Sequence, residues 1–141
     1  MAYAAKMDMV LAFGQVEMVQ ITDIEEPYTN AINDARLSAA LDEAASAADG
    51  YLRGRYRLPI SPVPTDLRRR VCDIARFLLH DDGTPETVKD RYDRAMKWLH
   101  DIADGKVTLD APAATAAESP TTSGAVLVSA SPRVFGMEDG R

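Results

Sequence analysis

Two histidines, a single cysteine, a carboxylate-bearing loop and a cluster of arginines are the residues of this 141-residue chain best able to do chemistry. A catalytic site needs nucleophile, base or metal ligands that converge, and these candidates are scattered. His80 and His100 fall near the ends of different expected helices. No H-E-x-x-H, C-x-x-C, phosphate-cradling glycine loop or nucleophile elbow occurs. Cys72 borders Val71 and Ala75 on an expected helix, which suits a small buried hydrophobe better than a reactive thiol. The stretch from Asp23 to Asp34 puts carboxylates at Asp23, Glu25 and Asp34, roughly the first, third and twelfth positions of a calcium loop. Its fifth position is Pro27, and Tyr28 stands where such a loop requires glycine, so the turn cannot form. The reading is a chain that is not an enzyme, with no catalytic residue, metal or cofactor.

The arginines point to partners instead. Nine acids against Lys6 and Arg36 leave residues 1–52 at −7, whereas seven arginines against Asp66 and Asp73 leave residues 53–76 at +5. The net charge of −6 disfavours a general nucleic-acid binder. Arg68, Arg69 and Arg70 span most of a helical turn and cannot all face one duplex, and no aromatics interleave them for single strands. Separate acidic and basic regions can orient copies head to tail. Arg53, Arg55, Arg57, Arg68 and Arg69 are therefore expected at an oligomer or partner interface.

The elements that position these residues are expected to be helical. A hydrophobic share of 46%, rich in Ala, suits one modest core of closely packed helices. A first helix is expected over residues 5–13 and ends at Gly14, with a short helical turn over 15–21 and a polar loop over 22–33. Asn33 caps the second helix, where Leu37, Leu41, Ala44, Ala48 and Tyr51 recur at helical spacing and Ala40, Ala45 and Leu52 widen the stripe. Pro59, Pro62 and Pro64 form a stiff extended connector. The third helix starts at Thr65 or Asp66, buries Leu67, Val71, Ile74 and Leu78, turns Arg68, Arg69 and Arg76 elsewhere, and ends near residues 81–83. Thr84 caps the fourth, with Pro85 at its first position and Val88, Tyr92, Ala95, Leu99 and Ile102 as its stripe, and Gly105 closes it.

Beyond Gly105 the composition changes. Residues 110–124 are small, polar and Pro-containing, which is linker chemistry. Two short β-prone islands, at 107–109 and 125–128, and a third apolar patch at 134–135 have no core of their own. Val126, Val128, Arg133, Val134 and Phe135 are accordingly expected to dock on another chain. The fold class expected is all-α: a small bundle of about four helices, residues 1–105, followed by an extended arm, residues 106–141. No run approaches the roughly 18 apolar residues of a membrane span. The lone Cys72 allows no intramolecular disulfide, and Met1-Ala2-Tyr3-Ala4-Ala5-Lys6 lacks a signal-peptide pattern, so a cytosolic setting is expected.

Asp49-Gly50-Tyr51-Leu52-Arg53-Gly54-Arg55-Tyr56-Arg57-Leu58-Pro59 resembles a signature of small phage Mu-like proteins of the head–tail neck. It is followed, as in that family, by Leu67-Arg68-Arg69, Cys72-Asp73-Ile74-Ala75-Arg76, Asp81-Asp82, Arg91-Tyr92 with Ala95, Gly105-Lys106-Val107, and Ser131-Pro132-Arg133-Val134-Phe135. The resemblance implies a head–tail adaptor, or head-completion protein, of the virion neck, assembled in the bacterial cytoplasm. It further implies a ring of about twelve copies beneath the portal protein, a closed set of heterologous contacts. That ring would dock a tail or a tail-terminator or stopper protein and let DNA pass without sequence-specific binding. The alternative is a small regulatory DNA-binding protein with the Arg-rich third helix as its recognition helix.

Overall fold

The computed structural model describes residues 3–80 and 83–113. Five α-helices follow one another: α1 Lys6–Phe13, α2 Gln15–Thr22, α3 Asp34–Leu52, α4 Thr65–Leu79 and α5 Glu86–Ala103. The described residues are mostly helical and contain no strand, only an isolated antiparallel bridge between Tyr56 and Ala113. Residues 15–22, expected as a short turn, form a two-turn helix of their own. Gly14 separates α1 from α2 at φ 96°, a left-handed value that residues with a Cβ rarely adopt.

The expected cap of α3 is present, with the Asn33 side chain accepting from the Arg36 amide at 3.1 Å. Leu37, Ala40, Leu41, Ala44, Ala45, Ala48 and Leu52 are buried along its inner face. Four alanines in that stripe have almost no side chain to separate the backbones, so α4 and α5 can approach α3 closely. Helix α4 is the most deeply enclosed. It buries Leu67, Leu79 and every residue from 71 to 75, and it packs against α3, α5 and α1. It stops at Leu79, earlier than expected, because His80 turns to an extended ψ of 102° and the Leu79 carbonyl accepts from Arg36 Nη2 at 3.3 Å. Leu79 is buried in the core, and Leu78 packs half-buried against it.

On α5, Pro85 is the cap rather than the first helical residue. Val88, Ala95, Leu99 and Ile102 are buried, and Tyr92 is half-buried with its ring stacked on Phe77 at 3.9 Å. The α1–α2 hairpin packs on α3 through both of its helices and on α4 through α1, with Met9 and Met18 fully buried. It is also held by charge. Arg76, expected to face away from the core, lies 4.3 Å from the Phe13 ring and donates two hydrogen bonds to Glu17, at 2.5 and 2.9 Å. A bidentate, partly desolvated pair of this kind is stronger than an exposed one.

The Pro-containing connector bends back rather than running clear of the body. Ile60 is buried, and its amide donates to the Tyr3 hydroxyl at 3.2 Å. Residues 106–113, expected to open the arm, also return to the bundle: Leu109 is buried, and Val107 and Ala111 pack half-buried against the core. Val126, Val128, Arg133, Val134 and Phe135 lie outside the described residues, as do Asp81 and Asp82.

The alanine face of α3 generates a stability prediction. Ala44 is fully buried, so Ala44→Leu forces α3 away from its neighbours and should destabilise by about 1–3 kcal/mol. Ala39→Leu, on the exposed side of the same helix, should stay within about 0.5 kcal/mol of the parent in urea denaturation. Equal stabilities for the two variants would contradict this packing.

Candidate interaction surface

The segment from Asp49 to Ile60 is a junction at which four parts of the chain meet. Asp49 accepts a short hydrogen bond from the Tyr3 hydroxyl, which in turn accepts from the Ile60 amide. Burial, reinforced by the bond to the Asp49 carboxylate, pushes the Tyr3 phenol up to about 12. Tyr51 Oη lies 3.2 Å from His100 Nε2, with the two rings edge to face at 4.6 Å. The Tyr56 hydroxyl accepts from the Leu109 amide at 2.6 Å, and the Arg57 amide donates to the Pro112 carbonyl at 3.1 Å.

Arg55 reaches the end of α5, where its Nε donates to the Ala103 carbonyl at 3.0 Å. A cation there complements the negative end of the helix dipole. Gly105 passes directly beneath this guanidinium. A Cβ on Gly105 would sit 2.8 Å from Arg55 Nη2, and its φ of 83° independently favours glycine. All three arginines are exposed, but Arg55 is tied to the body by this bond, whereas Arg53 and Arg57 make no ion pair among the described residues.

Arg68 and Arg69 lie with Arg91 around a cleft of about 280 Å³ between α1 and the α4–α5 pair. Leu11, Ala12 and Phe13 supply its apolar wall, and Asp8, Cys72 and Asp73 its floor and far side. Arg91 stands 3.9 Å from Asp73, while Arg68 and Arg69 have no ion-pair partner among the described residues. Burial, with Asp8 and Asp73 nearby, pushes the Cys72 thiol up to about 12, so it is protonated at neutral pH and poorly nucleophilic. Burial also raises the Asp73 carboxyl above its ordinary value, with Arg91 the largest opposing influence. Arg70 is half-buried with its guanidinium 5.5 Å from the Trp98 ring.

These placements bear on DNA recognition by α4. A recognition helix needs a free face to enter a major groove about 12 Å wide. Here α1, α3 and α5 cover α4, Arg76 is held by Glu17, and Arg70 lies against Trp98. What remains open on α4 is its first turns, where Thr65, Asp66 and Arg69 are exposed.

The loop tested above for calcium uses its first carboxylate differently. Asp23 accepts from the Thr29 amide at 3.0 Å and from the Asn30 amide at 2.8 Å. That pins the loop into a compact bulge with Ile24, Glu25, Glu26 and Tyr28 exposed. Asp34 is drawn to Lys6 at 2.8 Å. Among the described residues, no three His, Cys, Asp or Glu side chains group as metal ligands, and no helix is long and apolar enough to cross a membrane.

A family model described as "Bacteriophage Mu, Gp36" matches residues 3–128. The chain is 36% identical over 103 residues to "Gene product J" of Escherichia phage Mu, which covers 73% of this chain and 72% of that protein. It is 32% identical over 83 residues to "Mu-like prophage FluMu protein gp36" of Haemophilus influenzae. That second match covers 59% of each chain and so spans less than two thirds of the Haemophilus protein.

Two predictions arise from this geometry. Tyr56→Phe leaves the buried Leu109 amide without its acceptor, so stability should fall by about 1–3 kcal/mol and Leu109 should lose hydrogen-exchange protection. An unchanged Leu109 exchange rate would mean that Tyr56 does not hold this segment. Asp73 predicts a pH dependence. Its carboxyl is raised in the folded state, so the native protein keeps this proton to higher pH than the unfolded chain does. Its contribution to stability is greatest below the ordinary carboxylate value and is lost as pH rises through the native one. Asp73→Asn removes that descent, so the wild-type-minus-variant stability difference should fall with pH across this window. Parallel stability–pH curves would count against it.

Proposed function

The chain belongs to the bacteriophage Mu Gp36 family, which makes it a Mu-like phage protein, and from that premise we propose that it is a head–tail adaptor of the virion neck. In this reading it forms a ring of about twelve copies under the portal protein, with heterologous contacts between successive copies. The ring joins the capsid to a tail or to a tail-terminator or stopper protein, and DNA passes through it without being read.

The observation that supports this reading best is the division of labour in the family-like segment. Asp49, Tyr51, Arg55 and Tyr56 hold a compact helical body together, while Arg53 and Arg57 beside them remain exposed and unpaired among the described residues. Residues 112 and 113 are held to the body beside these arginines, by the Arg57 amide and the Tyr56 bridge. A compact helical body that presents unneutralised arginines suits a protein whose work is mechanical joining. A net charge of −6 also suits a channel that must not grip the DNA inside it.

The test is complementation of a phage lacking this protein, with heads and tails counted separately by electron microscopy. Truncation after Gly124 removes Val126, Val128, Arg133, Val134 and Phe135, of which Phe135 alone could contribute roughly 1.5–3 kcal/mol if buried in a neighbour. The truncated chain should give free heads beside free tails. Infectious tailed particles from it would show that these residues do not dock. Tailed particles from the deletion phage itself would remove the adaptor reading.

A further inference from the structure

Among the described residues, the large hydrophobic side chains left exposed occupy two places. Met7, Leu11 and Val16 belong to the α1–α2 hairpin, with Leu11 78% exposed, and Ile24 and Tyr28 belong to the loop over 23–33, with Tyr28 59% exposed. The charges around them are opposite. Leu11 lines the cleft in which Arg68, Arg69 and Arg91 outnumber Asp8 and Asp73, whereas Ile24 and Tyr28 flank the exposed Glu25 and Glu26. No ion pair among the described residues neutralises Arg68, Arg69, Glu25 or Glu26.

We propose that the loop carrying Tyr28 in one copy seats in the Leu11–Arg68–Arg69 cleft of the next. This rests on the ring reading above and names the contact by which its copies join. Shape supports it as well as charge. The cleft, at about 280 Å³ and open to solvent, has room for a large side chain. The loop is already set in its projecting form, because Asp23 holds the amides of Thr29 and Asn30, so docking orders little that was free.

A chain cannot satisfy itself in this way. Glu25 lines a groove with Leu78 and Leu79 at the end of α4, whereas Thr65, Arg68 and Arg69 line the cleft at its beginning. The eleven residues from Arg68 to Leu79 separate the two by about 16 Å along the helix axis. One patch therefore meets the other only between molecules, and the contact is heterologous. Each copy keeps a free loop on one side and a free cleft on the other, the condition for a ring.

Sedimentation of the full chain, with two variants that alter only one patch each, tests this. Tyr28→Ser with Glu26→Lys spoils the loop, and Leu11→Ser with Arg69→Glu spoils the cleft. All four positions are exposed, so circular dichroism and thermal midpoint should match the parent. The parent should show concentration-dependent species larger than a dimer, and each variant should associate at least tenfold more weakly. An equimolar mixture of the variants should form dimers that grow no further, because only one productive loop–cleft pair is available. A monomeric parent at millimolar concentration, variants that assemble like the parent, or a mixture that stays monomeric would each overturn the proposal. Variants that assemble normally, in a phage that still needs this protein for tail joining, would leave the neck reading standing and remove this contact alone.

Discussion

Helix α4 buries five successive residues, 71–75, and no single neighbour can cover a helix on that many sides. Most of the fold answers this constraint. Helices α3 and α5 take one side, where alanines on α3 permit close approach, and the α1–α2 hairpin packs on α3 and, through α1, on α4. The hairpin is short, with eight residues in each helix, too few to be stable as isolated helices in water. It depends on Met9 and Met18 for burial and on the Arg76–Glu17 pair, backed by Phe13, for its seat. Asp73 is the exception within the enclosed run, a carboxyl whose charged form is disfavoured by burial and only partly offset by Arg91.

The segment 49–60 carries the second layer of organisation. Its polar side chains bond to groups distant in sequence: Tyr3 at the N-terminal side, His100 and Ala103 at the end of α5, and Leu109 beyond it. This accounts for the dense run of tyrosines, glycines and arginines in this segment. Many of those residues fix the course of the backbone, leaving few to face a partner. Arg55 illustrates the division, since it is tied to the carbonyl end of α5 while Arg53 and Arg57, two residues away on either side, make no ion pair among the described residues.

The surface follows a different logic from the core. Charges that are separate along the sequence partly meet in the fold, where Glu17 pairs with Arg76 and Asp8 shares a cleft with Arg68 and Arg69, while the exposed apolar side chains stay in two distinct places. Self-complementary patches would favour closed pairs, whereas distinct, opposite patches favour a continuing series of copies.

What the sequence determined by itself was local. Helical spacing located the elements that became α1, α3, α4 and α5, and Asn33 marked the start of α3, because periodicity and capping depend on residues within a turn or two of each other. The mismatch of Pro27 and Tyr28 with a calcium loop was also readable from spacing alone. Only the tertiary structure decided that residues 15–22 make a full helix, that Arg76 is a clamp and not a surface charge, and that Leu109 returns to Tyr56. Glu17 lies 59 positions from Arg76, and Leu109 lies 53 from Tyr56. No pattern along the chain links such residues, because their meeting is set by how helices stack once the apolar faces have found each other.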